Sequence, residues 1–256
     1  MKYSLNKYLS MCNVASRRKA ERFIEDERVT INGKIAKLTD RVNPETDVVA
    51  LDDTALAPIK HEYYILNKPK NVLSTTYDAR QRPTVTEYIQ TDTKLNIAGR
   101  LDFDTTGLVL LTNDGDLIYK ITHPKTHIPK TYKLTISGTV TKDQLNQLKQ
   151  GVNIDGYKTK KAIVQNLTTT EDKTIFELVI YEGRNQQIKR MCEATHIKLL
   201  YLERLAIGNL TLKNLKPGQS RKTSKESLEK MFEMPETHKT NPDSAINSSN
   251  NTLNYN

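Results

Sequence analysis

Apolar positions follow two rhythms along this chain. Leu5, Tyr8 and Leu9 fall at i, i+3 and i+4, and Ala20, Phe23 and Ile24 repeat the spacing, which predicts two short amphipathic helices. Ser16 stands where it can cap the second. Val29-Thr30-Ile31 and Lys34-Ile35 flank Asn32-Gly33, a pair that tolerates the positive φ of a tight hairpin turn. Residues 51–61, with Asp52, Asp53, Pro58 and His61, read as a linker. Beyond it, residues 63–67 begin a strand that Pro69 stops. Apolar runs at 95–98 and 108–111 enclose a polar turn. A short helix is expected over 116–121, ending near Pro124, and strands over 132–136 and 175–180. Leu145 and Leu148 give 142–151 helical spacing, and Ile188, Met191 and Cys192 form the apolar stripe of another helix. Helices and strands mix without a regular βαβ rhythm, so the expected class is α+β with a mixed, largely antiparallel sheet. After Met234 the chain turns polar and rich in Asn and Ser, and a disordered tail is expected over 234–256. The expected division is a small unit with its linker over 1–60, a larger unit over 61–233, and that tail.

Charge sharpens the picture. The 256 residues carry a formal net charge of +9 and a pI near 9.3, with 36% hydrophobic and 27% charged residues. A soluble globular chain with a polyanionic partner is expected, either nucleic acid or an acidic membrane surface. No segment approaches the ~18 apolar residues of a membrane span, and residues 1–7 hold no apolar signal core. Cys12 and Cys192 form no Cys-x-x-Cys pair, which fits reduced thiols in the cytoplasm. Trp is absent, so stacking on a base would fall to Tyr, Phe, His or Arg. Residues 1–41 hold ten Lys and Arg against five Asp and Glu, a net +5. Arg17, Arg18, Lys19 and Arg22 crowd the start of the second helix. Cations there oppose the helix dipole, so helix stability does not account for them. A face that meets phosphate does; a solvated charged face is the plainer alternative.

The densest chemistry lies between the runs at 95–98 and 108–111. Gly99-Arg100-Leu101-Asp102-Phe103-Asp104-Thr105-Thr106-Gly107-Leu108-Val109-Leu110-Leu111-Thr112-Asn113-Asp114-Gly115 puts Asp102 on a loop held between two strands. Arg100, two residues away, can hold that carboxylate ionised, and an ionised, positioned Asp is a covalent nucleophile in waiting. On these residues alone a turn or capping role competes with catalysis. The run resembles the catalytic motif of RsuA-type ribosomal RNA pseudouridine synthases, in which the Asp at this place is catalytic. Ser16-Arg17-Arg18-Lys19-Ala20-Glu21-x-x-Ile24 with Val29-Thr30-Ile31-Asn32-Gly33 resembles the S4 RNA-binding domain, over residues 3–50. S4 domains commonly precede the catalytic domain in that synthase family.

Three further segments carry the resemblance. Asn67-Lys68-Pro69 and Arg82-Pro83-Thr84-Val85 are similar to recurrent pieces before the catalytic loop. In Lys130-Thr131-Tyr132 the resemblance implies that Tyr132 packs on the target base and assists proton handling; a strand Tyr with its ring in the core is the alternative. In residues 182–193 it implies that Lys189 pairs with the catalytic carboxylate, where other members carry Arg. A Lys there is a point charge rather than a planar fork. Arg184, Gln187 and Arg190 are then assigned to the RNA backbone, together with Arg100 and the four basic residues of the second helix. Residues 202–210 and 215–221 resemble the family's closing strand and turn and are read as structural, with Arg204 an additional candidate for RNA contact.

His123 and His127 have i, i+4 spacing, but Pro124 interrupts the helix that would align them, so no metal is expected. No cofactor is expected either, since no phosphate loop or dinucleotide fingerprint occurs and a carboxylate suffices for glycosidic isomerisation. The resemblance implies isomerisation of uridine to pseudouridine on a flipped-out base in ribosomal RNA or a ribosomal subunit precursor, by a cytoplasmic monomer without membrane contact. Residues 190–193 and 202–204 lean toward large-subunit members of the RluB and RluF kind, hence 23S rRNA. Two alternatives stand: the same reaction on 16S rRNA, and a non-catalytic ribosome-assembly factor of the same fold.

Overall fold

A computed structural model describes residues 2–232; the tail expected over 234–256 lies outside the described residues. The chain forms two compact units. Among the described residues, one comprises 2–62 with Thr91–Asn96 and Thr112–Asp114; the other comprises Tyr63–Gln90, Ile97–Leu111 and 115–232.

In the first unit, strand β1 (Tyr3–Ser4) leads into helices α1 (Leu5–Met11) and α2 (Arg17–Glu25). The Ser16 side chain caps α2 by accepting from the Lys19 amide at 3.4 Å. Strands β2 (Val29–Ile31), β3 (Lys34–Ile35), β5 (Val49–Leu51) and β6 (Thr54–Leu56) form an antiparallel sheet in the order β3-β2-β5-β6, and β4 (Arg41–Val42) pairs with β1. Asn32 and Gly33 turn the β2–β3 hairpin at φ 51° and 78°. Leu5, Leu9, Ala20, Val29, Val42 and Val49 are fully buried at its core.

The two expected helices and the β2–β3 hairpin are present, and β1 with β4 and β5 with β6 add strands of only two or three residues, too short to show a period. One expectation needs correcting. Residues 51–56 are not linker. Asp52 and Asp53 adopt φ 46° and 62° at the tip of the β5–β6 hairpin, and the Asp52 carboxylate pairs with Arg28. Two adjacent Asp residues signal a turn as readily as a loop.

The second unit is α+β. Its strands are β7 (Tyr63–Lys68), β8 (Asn96–Ala98), β9 (Thr106–Thr112), β10 (Lys130–Ser137), β11 (Asn153–Ile154), β12 (Tyr157–Lys158), β13 (Ile163–Thr169), β14 (Lys173–Ile180), β15 (Leu199–Ile207), β16 (Leu210–Thr211) and β17 (Ser220–Thr223). Its helices are α3 (Gly115–Thr122), α4 (Lys142–Gln150), α5 (Gln187–Ala194) and α6 (Lys225–Phe232). The main sheet runs β13-β14-β10-β15-β9-β7-β17, with β16 on β15 and β8 on β9. β10 pairs antiparallel with β14 and β15, and β17 with β7, while β15 and β9 run parallel. Every residue of β7 is buried, as is β9 from Gly107 to Thr112, so these read as near-continuous apolar runs rather than alternations. α3 and α6 close the core over β7 and β9 with Leu117, Ile121, Leu228 and Phe232.

Gly107 is where the parallel pair meets. A Cβ there would lie 2.3 Å from the Arg204 carbonyl oxygen and 2.7 Å from its amide nitrogen, so only glycine lets β9 and β15 approach this closely.

Candidate active site

Asp102 sits on the loop between β8 and β9, and four residues fix that loop. Lys68, at the end of β7, has no exposed surface, and its ammonium donates to the carbonyl oxygens of Pro69 at 3.0 Å, Phe103 at 3.2 Å and Thr105 at 2.7 Å. Three donors meet three acceptors, which is what makes a lysine tolerable inside a protein. Burial pushes the Lys68 ammonium down to about 8, with the Asp104 and Asp102 charges offsetting part of that shift. The Asn71 amide donates to Phe103 O at 2.8 Å, the Leu101 amide to Ser74 Oγ at 3.1 Å, and the Thr105 amide to Asp102 O at 3.2 Å. The sequence marked Lys68 only as part of a recurrent segment; an ammonium among carbonyls leaves no pattern a reader can see.

Arg204 does similar work from β15. It is 2% exposed, its Nε donates to Leu108 O at 2.7 Å, and an Nη donates to Gly99 O at 2.8 Å. The expected RNA contact through Arg204 is therefore corrected: the guanidinium ties both ends of the loop to the sheet. The alternation shows why, since Leu202, Arg204 and Ala206 share the buried face of β15.

The loop forms one wall of a cavity of about 450 Å³. Asp102, Arg100 and Phe103 line it beside Lys130 and Tyr132 of β10, Arg204 of β15, and Glu182 and Arg184 of the segment after β14. Tyr132 is 9% exposed, so its ring is largely enclosed while still lining the space. Lys189 reaches the loop from α5, whose buried side is Gln187, Ile188, Met191 and Cys192. Its ammonium lies 3.2 Å from Asp102 Oδ2 and also hydrogen-bonds Asp104. Burial would lower its affinity for the proton, but the two carboxylates outweigh burial and raise it. Burial likewise opposes ionisation of Asp104, and the Lys189 contact overcomes it, so Asp104 titrates below the usual carboxylate range. Arg100, expected to hold Asp102 ionised, is exposed at the cavity wall, and the ion pair to Asp102 comes from Lys189.

The expected RNA contacts divide. Gln187 is 3% exposed; its Nε2 donates to Glu182 Oε1 at 2.8 Å and its Oε1 accepts from the Arg184 amide at 3.0 Å. It braces the loop before α5 from inside, which corrects its assignment to the RNA backbone. Its position one turn before Met191 on the buried stripe was the available signal. Arg184 is exposed and lies over the Tyr157 ring at 3.3 Å from the centroid, and Arg190 pairs with the exposed Asp155. On α2, Arg17, Arg18, Lys19 and Arg22 all lie on the solvent side, and among the described residues none of the four forms an ion pair. Cys12 and Cys192 are free, and burial pushes their thiols up to about 11 and about 12. His123 caps a turn through Nδ1, accepting from the Lys125 amide at 3.2 Å. Among the described residues no group of three or more His, Cys, Asp or Glu could hold a metal ion, and no helix is long and apolar enough to cross a membrane.

An ion-paired carboxylate on a pinned loop, in a cavity also lined by a largely enclosed tyrosine, is suited to chemistry on a flat, uncharged base and the sugar that carries it. Comparison with known proteins agrees. The family model described as RNA pseudouridylate synthase matches residues 62–194, more than half of the chain. The chain belongs to the RNA pseudouridylate synthase family. The S4 domain model matches residues 4–49 of this synthase. An RNA pseudouridine synthase of Aquifex aeolicus is 36% identical to it, over 91% of this chain and 94% of its own length. Ribosomal large subunit pseudouridine synthase B of Bacillus subtilis is 34% identical over 89% of this chain and 94% of its own, and the dual-specificity RNA pseudouridine synthase RluF of Escherichia coli K12 is 35% identical over 91% and 79%. A crystal structure of a pseudouridylate synthase superposes with a TM-score of 0.63 at 33% identity, covering 89% of this chain and 98% of that one. The protein is thus an S4-containing RNA pseudouridine synthase, an isomerase by family.

Proposed function

We propose that this pseudouridine synthase isomerises a uridine of ribosomal RNA, in the large subunit, with Asp102, Tyr132 and Lys189 as its catalytic groups. The observation that carries the reading is the Asp102 carboxylate, ion-paired with Lys189 on a pinned loop, in a cavity walled by Tyr132. A uridine inside a stacked helix cannot reach such a cavity, so the target nucleotide flips out of its stack. Asp102 attacks C1′ as the C1′–N1 bond breaks, the base turns, C5 bonds to C1′ as the C1′–Oδ bond breaks and the carboxylate leaves, and the C5 proton is lost while N1 gains one. Atoms balance, as an isomerisation requires. The Tyr132 ring offers a face to the base and its hydroxyl a site for proton exchange. Lys189 orients the carboxylate through its ion pair.

Residues 1–60 serve as the RNA-binding part, with Arg17, Arg18, Lys19 and Arg22 on phosphate, and residues 61–233 as the catalytic part. Arg100, Arg184 and Arg190 extend the phosphate contacts around the cavity. The large-subunit target is supported by the name of the B. subtilis relative. On this reading the enzyme works as a cytoplasmic monomer, on ribosomal RNA or a subunit precursor. Mapping pseudouridines in 23S and 16S rRNA from cells with and without the gene tests it. Loss of one or a few 23S sites is expected. Loss confined to 16S rRNA would reassign the target, and unchanged maps of both would overturn the ribosomal reading.

A further inference from the structure

Lys130 stands at the start of β10, paired in register with Ile180 and Ile207, and its side chain lines the cavity two residues from Tyr132. It is half-buried, and among the described residues its ammonium has no hydrogen bond or ion pair. The charged and titratable groups sharing the cavity wall are Tyr132 on its own strand, Arg204 on β15, Asp102 and Arg100 on the loop, and Glu182 and Arg184 after β14. Both carboxylates are already engaged. Asp102 faces Lys189, and Glu182 accepts from the Lys160 amide, the Tyr157 hydroxyl and Gln187. Arg204, the neighbouring charge, repels an ammonium. A cation held in this way is a poor structural element and a good ligand group, because its counter-charge has to come from outside.

We propose that the Lys130 ammonium donates to a carbonyl oxygen of the flipped uracil and stabilises the negative charge the base gains as its glycosidic bond breaks. The inference rests on the cavity being the uridine site. When C1′–N1 cleaves, the electron pair stays on N1 and spreads to O2 and O4, so a donor aimed at either oxygen binds more tightly as the bond breaks. The base is a better match than a phosphate, because Lys130 shares its wall with the enclosed Tyr132 and Arg204 while Arg100 and Arg184 stand exposed for the backbone. Burial, with the Arg204 charge adding to it, pushes the ammonium down to about 8. The charged form is therefore present below that value and lost above it.

The test measures single-turnover pseudouridine formation by wild type, Lys130→Met, Lys130→Arg and Asp102→Asn, with subsaturating and saturating RNA, across neutral to alkaline pH. Under subsaturating RNA the wild-type rate should fall above about pH 8, since that constant reports groups of the free enzyme. Lys130→Arg should keep much of the rate and lose the alkaline fall. Lys130→Met should be about 10²-fold slower at saturating RNA, as for loss of one preorganised donor, with RNA affinity within about threefold. A Lys130→Met enzyme with wild-type rate, or one impaired only in affinity with a shallower salt dependence, overturns the proposal; the second result would make Lys130 a phosphate contact. If Lys130→Met does not fold, an alkaline fall that persists unchanged in Lys130→Arg overturns it equally. An active Asp102→Asn enzyme would instead remove the reading of the cavity itself.

Discussion

The Asp102 loop and the first turns of α2, the two regions proposed to meet RNA, are built in opposite ways. Around Asp102 three cations are committed to the protein: Lys68 to three carbonyls, Arg204 to two, Lys189 to two carboxylates. On α2 the four basic side chains face solvent and, among the described residues, are free of ion pairs. A nucleophile must meet one atom, and small displacements are costly there. A phosphate contact is long-range and interchangeable, so mobile side chains suffice. Rigidity is concentrated around Asp102, the proposed nucleophile, and charge is left unpaired on the α2 face proposed to hold phosphate.

That contrast breaks most visibly at Lys68. Lys68→Met keeps the stem but leaves carbonyl oxygens of a buried loop without donors, which should lower stability by about 2–4 kcal/mol and slow single-turnover isomerisation by about 10²-fold. Chemical denaturation and rate measurements on one preparation check both. A variant of unchanged stability would mean that the loop does not depend on this lysine.

Tyr132→Phe is the sharper, narrower probe. If the hydroxyl exchanges a proton in the reaction, turnover should drop by about 10²–10⁴-fold with melting temperature and RNA affinity nearly unchanged. Tyr132→Ala should also lose stacking of about 1–3 kcal/mol per base. A silent Phe beside a destabilised Ala would return Tyr132 to the hydrophobic core.

The smallest effect on chemistry belongs to α2. Replacing Arg17, Arg18, Lys19 and Arg22 by Gln should weaken RNA binding and flatten the slope of log affinity against log salt by about 0.7–0.9 for each phosphate no longer neutralised. The rate at saturating RNA should stay close to wild type. An unchanged slope would show that this face does not meet phosphate.

The two regions were also unequally legible. The α2 face could be read from spacing and charge alone, because an amphipathic helix displays its exposed side in every turn. The position of Asp102 could be read too, since apolar runs on both sides forced a loop. Its supports could not. Lys68 and Arg204 are cations in a basic chain, and composition sends such residues to the surface. Only the strand register, which puts Arg204 on the face of Leu202 and Ala206, announces that it is buried. Gln187 misleads for the same reason: polarity outweighs its place on the stripe with Met191. Asp104 gives no sign of being a second partner of Lys189, because two residues of loop carry no rule for direction. Lys130 stands in plain view beside Tyr132, and its lack of a counter-charge is visible only once the wall around it is assembled.

The central claim is that the Asp102 carboxylate performs the isomerisation. Asp102→Asn preserves size and most hydrogen bonding while removing the charged nucleophile, so purified wild type and variant can be compared on one ribosomal RNA substrate by direct pseudouridine quantification. The expected result is no detectable product from the variant over many wild-type half-lives, with its melting temperature and RNA affinity close to wild type. Pseudouridine formed by Asp102→Asn at a rate near wild type would contradict the account.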